Sequence, residues 1–275
     1  MAGILYVTGT PIGNLSDLSP RAAQTLEQVD FIAAEDTRVT LKLLNHLGIK
    51  KPMVSYYEHN KRERGEIICA RIENGESCAI VTDAGMPCIS DPGEDLIRLC
   101  AERGIQTVVI PGPSALIAAL AVSGLETGRF TFEGFLSVNK KSRSEHLESL
   151  LRERRTMLFY EAPHKLPATL KDLYATFGDR RLSIVRELTK LHEEVIRTTT
   201  KEAAETLADG SIRGEIVLVL EGCRETEAEE AGTMEDAVAL ARQLTEKGEK
   251  PAAAAKQAAA ATGFRKNDIY RELMT

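Results

Sequence analysis

The sequence predicts an α/β protein: two α/β domains followed by a small helical one. Three observations carry that expectation. Short apolar runs alternate with helical stretches up to Val122, an order that builds a largely parallel sheet with helices on its faces. From Phe130 the pattern changes: Phe130–Phe135 alternates apolar and polar residues with period two, as in a strand with one exposed face. From Met234 the chain reads as helix throughout, with eight alanines between Ala252 and Ala261. The expected domains are 1–122, 123–221 and 233–275, with an acidic linker over 222–232.

Each element has its own signal. Ile4–Val7 is a strand running into Thr8-Gly9-Thr10-Pro11-Ile12-Gly13-Asn14-Leu15. Ser19-Pro20 opens a helix to about Val29, since serine caps and proline suits the first turn. Phe31–Ala34 is a strand ending in Glu35-Asp36-Thr37-Arg38. Leu41–Leu47 is helical and Gly48 stops it. Val54–Tyr57 is extended, a helix follows near Glu63–Glu73, and Asn74-Gly75 is a turn. Cys78–Val81 reads as a buried strand, followed by the Gly- and Pro-rich loop Thr82–Gly93. There Asp91-Pro92 has the form of a cap and first turn for a helix over Gly93–Arg103. Thr107–Ile110 is a strand ending in Pro111-Gly112-Pro113-Ser114-Ala115, and Ser114 is placed to cap the helix Ala115–Val122.

The second domain opens after Ser123–Gly128. A basic helix is expected over Ser142–Arg154, then a strand Met157–Tyr160 running into Glu161-Ala162-Pro163-His164, and a helix Lys165–Phe177 ended by Gly178. Leu182–Val185, Glu194–Thr199 and Glu215–Leu220 are strands, with a helix near Lys201–Ala208, so a mixed sheet with antiparallel pairs is expected. The tail reads Met234–Lys247, Pro251–Ala261, a Thr262-Gly263 break and Lys266–Met274, a helix-turn-helix outline.

Composition excludes several classes. No apolar run approaches the roughly 20 residues that span a bilayer, so no membrane association is expected. The N-terminus lacks the basic n-region of a signal peptide. The five cysteines form no CxxC pair and read as reduced thiols of a cytoplasmic protein, without a metal site. Formal net charge is −6, and Glu221–Asp236 carries that whole excess: seven acids against Arg224. The rest of the chain is formally neutral and holds a basic patch at Lys140, Lys141, Arg143, Arg152, Arg154 and Arg155.

No G-x-G-x-x-G, P-loop lysine motif or nucleophile elbow is present. Polar residues instead recur just after apolar strands: Asn14, Glu35, Asp36, Arg38, Glu58, His59, Asn60, Asp83, Glu161, His164, Glu187 and Lys190. Each has an ordinary reading. Asp36 reads equally as a helix cap, Glu187 as a partner of Arg186 or Lys190, and His164 as a helix start. Their recurrence at strand ends, where open α/β sheets bind ligands, points to an enzyme.

Taken in order, the motifs Thr10-Pro11-Ile12-Gly13-Asn14-Leu15, Ala33-Ala34-Glu35-Asp36-Thr37-Arg38, Tyr57-Glu58-His59-Asn60, Asp83-Ala84-Gly85-Met86-Pro87, Pro111-Gly112-Pro113-Ser114-Ala115, Phe132-Glu133-Gly134-Phe135, Phe159-Tyr160-Glu161-Ala162-Pro163-His164, Arg186-Glu187-Leu188-Thr189-Lys190 and Gly214-Glu215-Ile216-Val217 resemble the bacterial small-subunit ribosomal RNA cytidine-2′-O-methyltransferases of the tetrapyrrole-methylase superfamily. The resemblance covers about residues 4–220; the tail resembles the family's C-terminal helical domain more loosely. It implies S-adenosylmethionine as methyl donor, bound in a cleft between the two α/β domains. It implies a cytidine ribose 2′-hydroxyl in the decoding region of 16S rRNA as acceptor, reached within the small ribosomal subunit, and a homodimer. Carried over by motif, Ile12, Asp83, Ala84, Gly85, Met86, Pro87, Ser114, Ala115 and Tyr160 surround the donor. Met86 departs from the family, which has Thr there. Glu35, Asp36, His59 and Glu161 are the candidates for taking the hydroxyl proton, and Asn14, Arg38, Lys140, Lys141 and Arg143 for holding RNA. Rival readings are a superfamily enzyme acting on a tetrapyrrole or protein side chain, and a non-catalytic RNA-binding or assembly factor.

Overall fold

The computed structural model describes residues 2–223 and 233–274. The expected acidic linker lies, from residue 224 on, outside the described residues. The chain packs as two units, Met1–Ala118 with Glu187–Glu193, and Ala119–Arg186 with Glu194–Thr275.

In the first unit the order is β1 (Ile4–Thr8), α1 (Pro20–Gln28), β2 (Phe31–Ala34), α2 (Thr37–Leu47), β3 (Met53–Ser55), α3 (Lys61–Glu73), β4 (Cys78–Val81), α4 (Glu94–Glu102) and β5 (Gln106–Ile110), with α5 (Ala115–Ser123) leading into the second unit. The sheet order is β3-β2-β4-β1-β5, and all neighbours are parallel. Helices cover both faces, so both sides of each central strand must be apolar. Phe31, Ala33, Cys78 and Ile80 pack with Ile68, Ile72, Leu96 and Cys100 of α3 and α4. The alternating Ile32, Ala34, Ala79 and Val81 pack on the other face with Leu26 of α1 and Leu43 and Leu44 of α2.

Helix ends follow local chemistry. The Ser19 hydroxyl accepts from the Ala22 amide at 3.1 Å, and Pro20 opens α1. Asp36 caps α2 through the Arg38 amide at 2.8 Å, so that helix begins at Thr37 and not at Leu41. The polar turn before Leu41 hides the start from an apolar pattern, but the cap provides for its amides. One expectation is overturned: Asp91 does not cap α4. Gly93, at φ 145°, precedes the helix, and no side chain caps it. That backbone angle breaks the chain path between Asp91 and the first turn, and the Asp91 carboxyl faces Thr82 instead.

The second unit holds β6 (Phe130–Phe135), α6 (Lys140–Ser149), β7 (Thr156–Glu161), α7 (Leu166–Phe177), β8 (Arg181–Arg186), β9 (Glu194–Thr199), α8 (Thr200–Thr206) and β10 (Ile216–Leu220). Its sheet order is β6-β7-β10-β8-β9; β6 and β7 are parallel and the other pairs antiparallel. Met157, Phe159, Ile184 and Leu218 pack under Leu166, Leu170 and Leu173 of α7. Helix α6 stops at Ser149, short of the expected Arg154. Beyond it Glu153 accepts from the Arg155 amide at 2.8 Å and pairs with its guanidinium at 2.6 Å, closing a turn.

The tail forms α9 (Met234–Glu246), α10 (Pro251–Thr262) and α11 (Lys266–Leu273). Thr233 and Asp236 build a reciprocal capping box at the start of α9. Ala237, Ala241, Ala255 and Ala258 close around Ile269, the small side chains letting the helices approach. Arg152 fastens this bundle to its unit: the guanidinium donates to the Thr262 carbonyl at 2.7 Å and stacks 3.4 Å over the Phe264 ring.

Candidate active site

Parallel pairing puts the turns that leave β1, β2, β4 and β5 on one rim of the first unit. Backbone contacts then weld them together. Thr10 and Gly85 exchange both amide bonds, at 2.9 and 3.1 Å, and the Thr10 hydroxyl donates to the Thr82 carbonyl at 3.1 Å. The turn after β1 lies so close to the turn after β5 that a Cβ on Gly9 would come within 2.7 Å of the Gly112 Cα, and within 2.6 Å of the Met86 sulfur. A Cβ on Gly13 would meet Lys190 at 2.6 Å and the Leu188 carbonyl at 3.0 Å, so the segment Glu187–Glu193 is seated on the same rim. Within that segment Lys190 pairs with Glu187 at 3.0 Å. Ile12 is buried beside Gly85. Cys88, Ser90, Glu187 and Thr189 all have positive φ, a concentration of backbone strain in the loops of this rim.

Carboxylates gather where β2 and β4 end. The Asp83 amide donates to Glu35 at 3.3 Å, and the Asp36 amide donates to Asp83 at 3.2 Å. Burial raises the Glu35 carboxyl above its ordinary range, and the charges of Asp83 and Asp36 add to this against the opposing Asp83 amide. Burial likewise raises Asp83. Asp91 is pushed up to about 6, by burial first and then by the Glu35 charge. Asp36 differs: hydrogen bonds from the Arg38 side chain and amide hold it down at about 2. The result is an edge where Glu35, Asp83 and Asp91 crowd together while Arg38 is paired with Asp36, leaving an excess of carboxylates that suits a positively charged ligand. Next to it lies a pocket of about 190 Å³ lined by Thr10, Pro11, Leu15, Val39, Thr40, Lys42, Leu43, Thr82 and Asp83.

The structure therefore brings together Ile12, Glu35, Asp36, Arg38, Asp83, Ala84, Gly85 and Met86 of the expected residues. Pro87 is buried in the same turn, and Ser114 accepts the first bond of α5, from the Ala118 amide at 3.0 Å, with Ala115 opening the helix. Asn14 caps the short turn Leu15–Asp17 through the Ser16 amide. Exposed His59 stands edge-on to Tyr57. Arg38 is spread on Asp36 and 87% exposed. In the second unit Tyr160 packs against Phe132 and Phe135. Glu161 is buried and wholly engaged: one oxygen accepts from the Ala162 amide at 2.8 Å, the other from the Thr169 hydroxyl at 2.5 Å, as the brace of the α7 entry. Lys140 and Lys141 are exposed on α6, whereas Arg143 turns inward onto Asp172 at 2.7 Å and the Ser137 carbonyl at 3.1 Å.

Sequence reasoning missed two features of the rim. Asp91 belongs with Glu35 and Asp83, though its position before Pro92 gave it the look of a cap. The Gly9–Gly112 contact joins residues far apart in sequence, and nothing in either motif announces its partner. Among the described residues no group of His, Cys, Asp and Glu has a metal-holding arrangement.

The comparisons agree with this architecture. The family model for tetrapyrrole (corrin/porphyrin) methylases matches residues 4–204. The ribosomal RNA small subunit methyltransferase I of Synechocystis sp. is 45% identical over 270 residues, covering 98% of this chain and 96% of that protein. The protein of the same name from Thermotoga maritima is 47% identical over 220 residues, covering 80% of this chain but 99% of itself. Among solved structures, the uroporphyrin-III C-methyltransferase of Thermus thermophilus in complex with S-adenosylhomocysteine superposes with a TM-score of 0.56 at 18% identity, over 80% of this chain and 97% of that one. A welded rim on a parallel sheet, a second mixed sheet and matches of this length lead to one conclusion: the chain belongs to the tetrapyrrole (corrin/porphyrin) methylase family.

Proposed function

We propose that the protein transfers a methyl group from S-adenosylmethionine to a ribose 2′-hydroxyl of 16S rRNA, at a cytidine of the decoding region, working on the small ribosomal subunit as a cytoplasmic homodimer. The observation that carries the reading is the near-full-length identity to proteins named ribosomal RNA small subunit methyltransferase I, on a chain whose carboxylate rim suits a cationic donor.

The donor supplies an electrophilic methyl on a sulfonium; a C–O bond forms as the C–S bond breaks. The Asp83–Pro87 turn offers backbone groups to the donor's polar ends, and Ile12 and Met86 offer apolar surface to its adenine. Gly9 lets the turns after β1 and β5 close, which holds Ser114 and Ala115 beside them. Glu35, Asp83 and Asp91 place negative charge where the sulfonium would sit. Positioning of this kind supplies a large share of the barrier reduction in a single displacement. The hydroxyl proton leaves late. Glu35, with its raised pKa, is the better-tuned acceptor on the rim, whereas Asp36, held near 2 by Arg38, is a weaker base. Glu161 has both oxygens engaged in its own unit and is a brace for α7. Arg38, Lys140 and Lys141 are exposed to meet phosphates.

The test is donor titration by calorimetry together with methyl transfer to 30S subunits, the product mapped for 2′-O-methylation. Donor binding with transfer to one cytidine ribose is expected. Donor binding with transfer only to a tetrapyrrole or a protein would overturn the assignment.

A further inference from the structure

The α9–α11 bundle lies beyond the matched family model, which ends at residue 204. The Thermotoga relative matches 80% of this chain along 99% of its own length, so about a fifth of this chain has no counterpart there. The bundle and the stretch before it amount to about that fifth. The catalytic fold thus exists without an addition of this size, and the three helices call for a purpose of their own.

Their surface suggests one. In a chain of formal charge −6, the stretch from Glu246 to Glu272 holds Lys247, Lys250, Lys256, Arg265, Lys266 and Arg271 against Glu246, Glu249, Asp268 and Glu272, so it is net positive where the whole chain is net negative. Helix α11 is amphipathic. Ile269 is fully buried between the alanines of α9 and α10, while Lys266, Asn267, Tyr270 and Arg271 are exposed, Tyr270 to 39%. Positions 266, 267, 270 and 271 share one face at helical spacing. Arg265 stands exposed just ahead of it, in the turn that follows the left-handed Gly263. Cations for phosphates, an amide for base edges and an aromatic ring for stacking are the set that recognises unpaired nucleic acid. The face is also firmly mounted, because Arg152 grips Thr262 and Phe264 at the turn between α10 and α11.

We propose that the outer face of α11, with Arg265, is an RNA-docking surface that holds a single-stranded or looped segment of the ribosomal RNA apart from the methylated nucleotide. The proposal rests on the rRNA reading above. It assigns the bundle to substrate capture: Tyr270 stacks on an unpaired base, Arg265 and Lys266 meet its phosphates, and Asn267 reaches a base edge, with Arg271 beside them in a 3.7 Å pair with Asp268.

The test uses the full chain. Affinity for naked 16S rRNA and for 30S subunits is measured across a salt series for wild type, Tyr270→Ala and the pair Arg265→Glu with Lys266→Glu. Donor titration and far-UV circular dichroism serve as controls. Tyr270→Ala is expected to weaken naked-rRNA binding at least about fivefold, the lower end of a lost base stack. The charge-reversed pair should make the slope of log affinity against log salt shallower by about 1.4, two lost contacts to a single strand. Donor affinity should not move. Unchanged rRNA affinity and slope in both variants, with wild type methylating rRNA normally, overturns the docking surface alone. Weakened binding to 30S but not to naked rRNA also overturns it, in favour of a ribosomal protein partner. A wild type that binds donor but no rRNA would sink the function reading itself, which separates the two failures.

Discussion

Gly9→Ala tests the weld between the β1 and β5 turns. Gly9 has an ordinary φ, so the substitution brings in a methyl group without a left-handed backbone to penalise it. In open space such a change stabilises by about 0.4–1 kcal/mol through the unfolded chain. Here the new Cβ would fall 2.6 Å from the Met86 sulfur, 2.7 Å from the Gly112 Cα and 2.9 Å from the Gly112 nitrogen. The sulfur ends a flexible side chain and can swing away. Gly112 is backbone, and the two turns must part by roughly 0.7 Å to restore a contact near 3.4 Å, the sort of overpacking that costs about 1–3 kcal/mol. Net destabilisation of about 1–2 kcal/mol is expected. There is no tryptophan, so urea unfolding is followed by far-UV circular dichroism. Met86→Ala in the same background should recover only the sulfur's share. Because the displaced β5 turn carries Ser114 and the Met86 side chain is pushed aside, donor affinity should fall as well. A loss under about 0.5 kcal/mol with normal donor binding would refute the close approach as a constraint on the rim.

Gly112→Ala should cost at least as much, since all three atoms near its Cβ belong to the Gly9 backbone, at 2.8–3.1 Å; the same urea curves check it. Asp91→Asn should stabilise the protein at pH 8 and leave it unchanged near pH 4. The folded pKa of about 6 exceeds the ordinary 3.8, so the native state holds that proton more tightly and its stability declines as pH rises between those values. A shift of about two units corresponds to about 3 kcal/mol before solvent screening, and about 1 kcal/mol is expected from paired urea curves for this half-buried group. Asp36→Ala removes the α2 cap and the partner of Arg38, so the urea midpoint and methyl transfer should both fall while donor binding survives; Asp36→Ser keeps the cap, so normal transfer by the serine variant in the 30S assay would assign the residue to structure alone. Arg152→Ala should speed amide exchange in α10 and α11, because it removes both the bond to Thr262 and the ring contact with Phe264; unchanged exchange would show that the bundle is held by other means.

Strand positions were legible because their signal is local. Phe31–Ala34, Cys78–Val81, Phe130–Phe135 and Glu194–Thr199 appear with the bounds that their apolar or alternating runs indicate. Caps were legible where the acceptor sits beside its helix, as at Ser19. They failed where the path between is broken, as between Asp91 and α4, because a glycine at φ 145° leaves no mark in an apolar pattern. Charge was misleading as a guide to surface. Of the basic run after Lys140, Arg143 is turned onto Asp172, Arg152 onto Phe264 and Arg155 onto Glu153, since a cation's direction depends on which carboxylate or ring the fold delivers.

By itself the sequence determined the class of the fold, the succession of turns along its rim and the family, because alternation, turn residues and ordered motifs are properties of neighbours in the chain. Only the tertiary structure decided how those turns interact. It set Thr10 against Gly85 and Gly9 against Gly112, and it drew Asp91 toward Glu35 and Asp83 so that burial and mutual repulsion raise their pKa values. It also left Tyr270 and Lys266 on the outside of α11. Contacts of this kind join distant residues through the register of a parallel sheet and the packing of helices, and no local pattern encodes them.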